Sequence, residues 1–182
     1  GYPLDLDKAN KLLDEAGYPE KDGVRFELGL IFIAPPFMPD FQQLPAEFVA
    51  AQLKKVGIKV RLEPQQGFAG WAKTSAAWDF DMSINWPGDK TDPAIGISRL
   101  YVCDNIKNQA YTNTSGYCDK EVDRIFAEAA QESNYEKRTA LYKEGALFGI
   151  KCFESCKIQN GRVGFNLTEI RVYCDGCSTV CG

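Results

Sequence analysis

The residues best suited to chemistry in this sequence are its seven cysteines, which are Cys103, Cys118, Cys152, Cys156, Cys174, Cys177 and Cys181. The spacing from Cys152 to Cys177 is similar to that of a four-cysteine zinc ribbon. A further cysteine at Cys181 and the lack of a glycine between Cys152 and Cys156 argue against zinc. Because so many cysteines are typical of proteins from oxidising compartments, we predict disulfides and no bound metal.

A second candidate for chemistry is the loop Trp86–Pro93, which contains Gly88, Asp89 and Asp92 and follows a predicted strand. Proteins of the α/β class bind ligands at the carboxyl ends of their strands, so this loop is a candidate binding site. The indole of Trp86 can supply an apolar wall or a face for a cation. Asp89 is either a ligand-binding carboxylate or a turn residue, whereas for Asp92 we favour a capping role at the start of the following helix.

The composition disfavours enzyme chemistry. The chain has no histidine among its 182 residues, which removes Ser-His-Asp and Cys-His nucleophile pairs and His-ligated metals. Asp79 and Asp81 flank Phe80, and strand alternation predicts that they form a solvated face rather than a catalytic pair or a calcium site. We therefore predict that the chain is not an enzyme and uses no cofactor.

The charge pattern disfavours two kinds of partner. The net charge is −4, and the densest basic positions are only Lys54-Lys55 with Lys59 and Arg61, so a nucleic-acid partner is not expected. The longest apolar run, Leu28–Met38, is too short to cross a bilayer as a helix. The first residues show no signal-peptide pattern.

Helical and strand patterns alternate along the chain. The spacing of apolar residues predicts a helix capped by Asp5 or Asp7 and stopped by Gly17, and a second helix whose inner face is Phe41, Leu44, Phe48 and Ala51. Strands are predicted over Val24–Ile33, Ile58–Leu62 and Asp79–Trp86. A short helix or a loop is predicted over Gly67–Ala77. Further helices are predicted over Ala94–Val102, Asp119–Glu132 and Asn134–Phe148, and a polar surface loop over Asp104–Gly116.

This alternation predicts an α/β fold with a mixed sheet and helices on both faces. We predict that residues 1–151 form one ligand-binding lobe. Residues 152–182 form a cysteine-rich segment, in which short strands over Arg162–Phe165 and Ile170–Tyr173 could complete that lobe.

Several blocks of sequence resemble bacterial extracellular solute-binding proteins of the dipeptide/oligopeptide class. Asp5–Pro19 is similar to the segment that opens the last lobe of those proteins, and Gln52–Val60 is similar to their helix-to-strand signature. Val122-Asp123 and Lys137–Tyr142 resemble their two late helices. The blocks occur in the family's order over about residues 4–150, and the resemblance fades from about Cys152.

The resemblance implies a lobe of the class II periplasmic-binding-protein type, namely the C-terminal lobe of a longer protein. It implies that Asp89 pairs with the α-ammonium of a bound peptide, with Trp86 and Gly88 beside it. It also implies a disulfide between Cys103 and Cys118. Such a lobe would bind peptides or similar small solutes and, within the intact protein, would deliver them to the membrane subunits of an ABC importer.

The implied location is the periplasm or the cell exterior, with a lipid anchor if the source is Gram-positive. Two alternatives remain open from the sequence. The cysteine-rich segment could be a zinc- or disulfide-stabilised interaction module, or the chain could be an enzyme domain that works without histidine.

Overall fold

The computed structural model of the chain describes residues 4–37, 41–84 and 92–155. In chain order, the helices and strands are α1 (Leu6–Glu15), β1 (Phe26–Ile33), α2 (Gln43–Lys54), β2 (Ile58–Gln65), α3 (Gly67–Ala77), β3 (Met82–Ser83), α4 (Lys120–Gln131) and α5 (Tyr135–Ser155). Among the described residues the chain divides into two compact units, the first made of residues 4–37, 41–71 and 80–84 and the second of residues 72–79 and 92–155.

A parallel sheet forms the centre of the first unit. Its strand order is β2-β1-β3, and the register pairs Phe26 with Ile58 and Ile31 with Ser83. Strand β1 is almost wholly apolar and its residues from Leu28 to Ile33 are buried, as expected for a strand enclosed within a parallel sheet. The α/β class is confirmed, and every strand pairing within the described residues is parallel.

Helix α1 begins and ends where the sequence predicts. The carboxylate of Asp5 accepts a hydrogen bond from the backbone N–H of Lys8 at 2.8 Å, and Gly17 follows the helix with φ +88°. No residue of α1 is buried, however, and Leu12 is exposed. The apolar stripe of this helix therefore contributes less to the core of the unit than its spacing indicates.

The attachment of α1 depends on the buried guanidinium of Arg25. Its Nε donates to the carbonyl of Val56 at 3.0 Å, and its Nη1 donates to the carbonyl of Tyr18 and the carboxylate of Asp14, each at 2.5 Å. Its Nη2 donates to the side chain of Asn10 at 3.2 Å. One side chain thus joins α1 and the turn after it to the segment that leads into β2.

The predicted inner face of α2 is wrong. Phe41, Leu44 and Phe48 are exposed, whereas the buried residues on the other side are Gln42, which precedes the helix, and Ala46. The small side chain of Ala46 allows close packing, and Gln42 is drawn inward by a hydrogen bond to the end of β1. The helix ends at Lys54, and Gly57, the predicted stop, lies three residues later with φ +77°.

In the second unit, α4 agrees with the prediction and its neighbours differ. Val122, Ile125 and Ala129 are buried, and Asp119 caps the helix by accepting from two backbone N–H groups. Residues 94–102 form turns and a 3-10 helix at Ser98–Leu100 rather than an α-helix. Helix α5 continues to Ser155, beyond its predicted end at Phe148, so Gly149 does not stop it.

Candidate ligand-binding site

The carboxyl ends of the three parallel strands define one edge of the sheet, called here the carboxyl edge. Strand β1 ends at Ile33 and is followed by Ala34, whose N–H donates to the carbonyl of Gln65 at the end of β2, at 3.2 Å. The pairing of β3 continues past its last residue, since the N–H of Ile84 donates to the carbonyl of Ile31 at 2.9 Å. In α/β proteins this is the edge at which ligands bind.

Gln42 lies at this carboxyl edge, and the sequence gives no signal for it. Its side chain is 1% exposed, and its Oε1 accepts from the N–H of Ile33 at 2.8 Å. The Nε2 of the same amide is buried and has no hydrogen-bond partner among the residues that the structure describes. A buried donor without an acceptor costs about 1–3 kcal/mol, so this amide is an unusual feature of the edge.

The predicted site residues Trp86, Gly88 and Asp89 lie outside the described residues. The residue on one side of that segment, Ile84, is buried in the first unit. The assignment of Trp86, Gly88 and Asp89 to a binding site therefore stays a prediction.

Asp92 is a structural residue of the second unit, but it holds a turn rather than capping the predicted helix, because residues 94–102 form turns and a 3-10 helix. Its Oδ1 accepts from the N–H of Ala94 at 2.9 Å and from the guanidinium of Arg138 on α5. The N–H of Ala94 and then the guanidinium of Arg138 lower the pKa of the Asp92 carboxyl below its ordinary value. Arg138 also lies over the ring of Tyr142, 5.7 Å from the ring centre.

The predicted solvated face of Asp79 and Asp81 needs a correction at Asp81. Asp79 is exposed, but the carboxylate of Asp81 accepts a hydrogen bond from the backbone N–H of Gly29 at 2.7 Å. It thereby ties the start of β3 to the middle of β1. This contact gives Asp81 a structural role, which strand alternation alone does not reveal.

The disulfide between Cys103 and Cys118 is present, with the two Cα atoms 4.6 Å apart. The backbone N–H of Cys103 also donates to the carboxylate of Asp123 on α4, at 2.9 Å. The loop between the cysteines is not simply a polar surface loop as predicted, because Asn113 within it is fully buried.

The remaining cysteines give no metal site that the structure can describe. Cys156, Cys174, Cys177 and Cys181 lie outside the described residues, and so do the side-chain surroundings of Cys152. Within residues 4–37, 41–84 and 92–155, no group of three or more metal-ligating side chains comes together. The predictions of tail disulfides and of no bound metal are therefore not tested.

A family model described as bacterial extracellular solute-binding proteins, family 5 Middle, matches residues 1–108. The chain belongs to this family. Di/tripeptide-binding protein 3 of Pseudomonas aeruginosa is 34% identical over 143 residues, which are 78% of this chain and 26% of that protein. Heme-binding protein A of Haemophilus influenzae is 31% identical over 144 residues, which are 79% of this chain and 25% of that protein.

A solved structure of the same kind is the ABC transporter-associated periplasmic binding protein DppA of Helicobacter pylori in complex with the peptide STSA. It superposes with a TM-score of 0.65 and 26% identity over 81% of this chain and 27% of that one. The family 5 chain therefore spans about a quarter of the length of the relatives that it matches. These relatives are named as binding proteins and not as enzymes.

No helix in the described part of this family 5 chain is both long enough and apolar enough to span a membrane.

Proposed function

We propose that the chain is the solute-binding lobe of an ABC importer's substrate-binding protein and that it binds peptides or similar small solutes without catalysis. The observation that carries the proposal is the place of Trp86, Gly88 and Asp89 in the sequence, directly after β3 in the parallel sheet of a family 5 chain. Relatives named as dipeptide- and di/tripeptide-binding proteins support the choice of peptides.

The proposed contact is a charge-assisted hydrogen bond. The α-ammonium of the peptide donates to the carboxylate of Asp89, and the indole of Trp86 provides apolar area beside it. Such a pair is stronger in an enclosed site, where the effective dielectric constant is lower than in water. The contact would therefore select ligands with a free amino terminus.

The test is Asp89→Asn in the full-length protein that contains this chain. Calorimetry should show that free-amine dipeptides lose about 2–5 kcal/mol of binding free energy, the scale for removing one partner of a buried charge pair. The same dipeptides with an acetylated amino terminus should lose much less. Asp79→Asn, at an exposed aspartate, is the matched control. An equal loss for both ligand types would remove the role proposed for Asp89.

We further propose that the intact protein works in the periplasm or at the cell exterior, with a lipid anchor in a Gram-positive source. The membrane subunits of an ABC importer would receive the solute. The Cys103–Cys118 disulfide supports an oxidising compartment, and the relatives' descriptions as extracellular and periplasmic binding proteins support the location. Residues 152–182 would then complete the lobe rather than form a separate module.

A further inference from the structure

The candidate loop Trp86–Pro93 leads into a turn that the structure describes. The carbonyl of Asp92 accepts from the N–H of Gly96 at 3.1 Å, and the carboxylate of Asp92 accepts from the N–H of Ala94 at 2.9 Å. Both hydrogen bonds lie within residues 92–96. They therefore fix the shape of the turn, but they do not attach it to another element.

In the described part of the chain, Arg138 is the residue that attaches Asp92 to a helix. Its Nη2, on α5, donates to the same Oδ1 of Asp92 that accepts from Ala94, and the two side chains form an ion pair. The side chains of Arg138 and Asp92 are only 28% and 37% exposed, so water screens their attraction less than it screens a fully exposed pair. Hydrogen bonds between two charged groups are also stronger than those between neutral groups.

Arg138 is itself supported by a row of aromatic rings. Its guanidinium lies over the ring of Tyr142, whose centre is 6.0 Å from the centre of the Phe126 ring on α4. The ring of Phe126 is in turn 6.5 Å from that of Tyr101, which is buried. These contacts restrict the positions that the guanidinium can adopt, so it can hold Asp92 in one place.

Resting on the proposed function, we propose that Arg138 is a positioning residue for Asp89. Asp89 is three residues before Asp92 in the sequence, and three residues of extended chain reach at most about 11 Å. By holding Asp92, Arg138 limits the space in which the carboxylate of Asp89 can lie before the solute arrives. A binding group that is already ordered costs less free energy to immobilise, which strengthens the complex. Arg138 acts through Asp92 and makes no contact with the solute.

The test is Arg138→Met in the full-length protein that contains this chain, with alanyl-alanine and N-acetyl-alanyl-alanine as ligands. Methionine keeps an unbranched apolar side chain but removes the charge and the N–H donors. Calorimetry should show that alanyl-alanine binds about 5- to 30-fold more weakly, the factor for ordering one more residue of backbone on binding. The acetylated dipeptide has no ammonium for Asp89, so its affinity should fall by less than about threefold.

Arg124→Met is the matched control. Arg124 is also an arginine of the second unit, but it is exposed and pairs with Glu121 and Glu128 of its own helix. The same substitution there should leave the affinities for both dipeptides unchanged. Thermal unfolding of each variant shows whether it remains folded at the temperature of the binding experiment.

A double-mutant cycle separates positioning from a general loss of stability. In the Asp89→Asn background, Arg138→Met should weaken alanyl-alanine by less than about threefold, because no carboxylate is left to position. If Arg138→Met does not fold, Asp92→Asn takes its place in the cycle. Its amide oxygen can still accept from the N–H of Ala94, but it lacks the charge that pairs with Arg138.

The outcomes separate the inference from the proposed function. A wild type that binds neither dipeptide, or both equally, overturns the role of Asp89 and the inference with it. A preference for the free amine that Arg138→Met leaves unchanged, or that Arg124→Met reduces as much, overturns the inference alone. An equal weakening of alanyl-alanine by Arg138→Met with and without the Asp89 carboxylate shows that Arg138 only stabilises the lobe, and the inference is then wrong.

Discussion

Asn113 shows how one polar residue can organise a whole loop. Its Nδ2 donates to the carbonyls of Val102 and Tyr117 at 3.1 and 2.7 Å, and its Oδ1 accepts from the hydroxyl of Ser115 at 2.7 Å. All polar atoms of the amide are therefore used, which is the condition for burying it at low cost. The sequence contains several asparagines in this loop, and nothing in their order distinguishes the buried one.

Asn113→Ala should lower the free energy of unfolding by about 1–3 kcal/mol, because the carbonyl of Tyr117 loses this donor and the carbonyl of Val102 keeps only the N–H of Asn105. The matched control is Asn108→Ala in the same loop, where the side chain is exposed and the change should be within about 0.5 kcal/mol. Urea unfolding of the oxidised chain measures both. Similar losses in the two variants would contradict the central role of Asn113.

Asp92 should make the stability of the chain depend on acid pH. Its pKa is lowered in the folded state from the ordinary value of 3.8, so the folded chain binds this proton less readily than the unfolded chain does. The stabilising contribution is thus fully present above that ordinary value and is lost as the pH falls through the folded value.

Asp92→Asn should therefore flatten the plot of unfolding free energy against pH below about pH 4. Urea titrations at a series of pH values measure the plot. Asp104→Asn, at a carboxylate that is 98% exposed, should leave the wild-type curve unchanged. An Asp92→Asn curve as steep as that of the wild type would show that the contacts with Ala94 and Arg138 do not hold this carboxylate.

At the scale of elements, helix α2 shows where sequence patterns reach their limit. Two apolar stripes with helical spacing compete in it, one through Phe41, Leu44 and Phe48 and the other through Ala46, Val49, Ala50 and Leu53. The larger side chains of the first stripe favour it as the buried face, but the structure buries the face that contains Ala46. Spacing alone cannot decide between the two, because the choice depends on the fit to the sheet.

Elements with a single stripe and clear caps were predicted well. Helix α4 has one apolar face and a capping aspartate, and strand β2 alternates in burial as its sequence predicts. The features that were missed depend on long-range partners. Gln42 is held by Ile33 and Asp81 by Gly29, and neither pairing leaves a mark in the local sequence. The candidate loop Trp86–Pro93 could be predicted because it follows a predicted strand, and α/β folds bind ligands at the carboxyl ends of their strands.

Arg25→Ala should release α1 from the first unit, because no buried apolar residue of that helix replaces the lost hydrogen bonds. We expect a loss of about 2–4 kcal/mol of unfolding free energy, on the scale of breaking a buried charged network. Hydrogen exchange should become faster in α1 than in β1. Arg124→Ala is the control, because Arg124 is exposed and its ion pairs in the described part of the chain are with Glu121 and Glu128 of its own helix. Equal exchange of α1 in both variants would contradict this role of Arg25.

At the scale of the whole molecule, the chain spans only about a quarter of the length of its relatives. It nevertheless contains buried apolar residues in both of its units. In the first unit most of these lie on the strands, and in the second they include Val122 and Ile125 of α4. The chain thus has what it needs to fold, whereas under the proposed function its ligand site would be closed by a second lobe.

The 182-residue chain by itself should therefore fold cooperatively but bind peptides very weakly. The isolated chain lacks the ligand contacts that the second lobe would make. The pair between Asp89 and the ligand's ammonium is then exposed to water, where the attraction between the two charges is weakest. Calorimetry should show binding by the full-length protein and a dissociation constant weaker by about 100-fold or more for the chain alone, a difference of about 2.8 kcal/mol. Circular dichroism during urea unfolding is the control. It should show a cooperative transition, so that weak binding is not explained by an unfolded chain. Micromolar binding by the isolated chain would show that its own residues complete the site, and the shared cleft would be wrong.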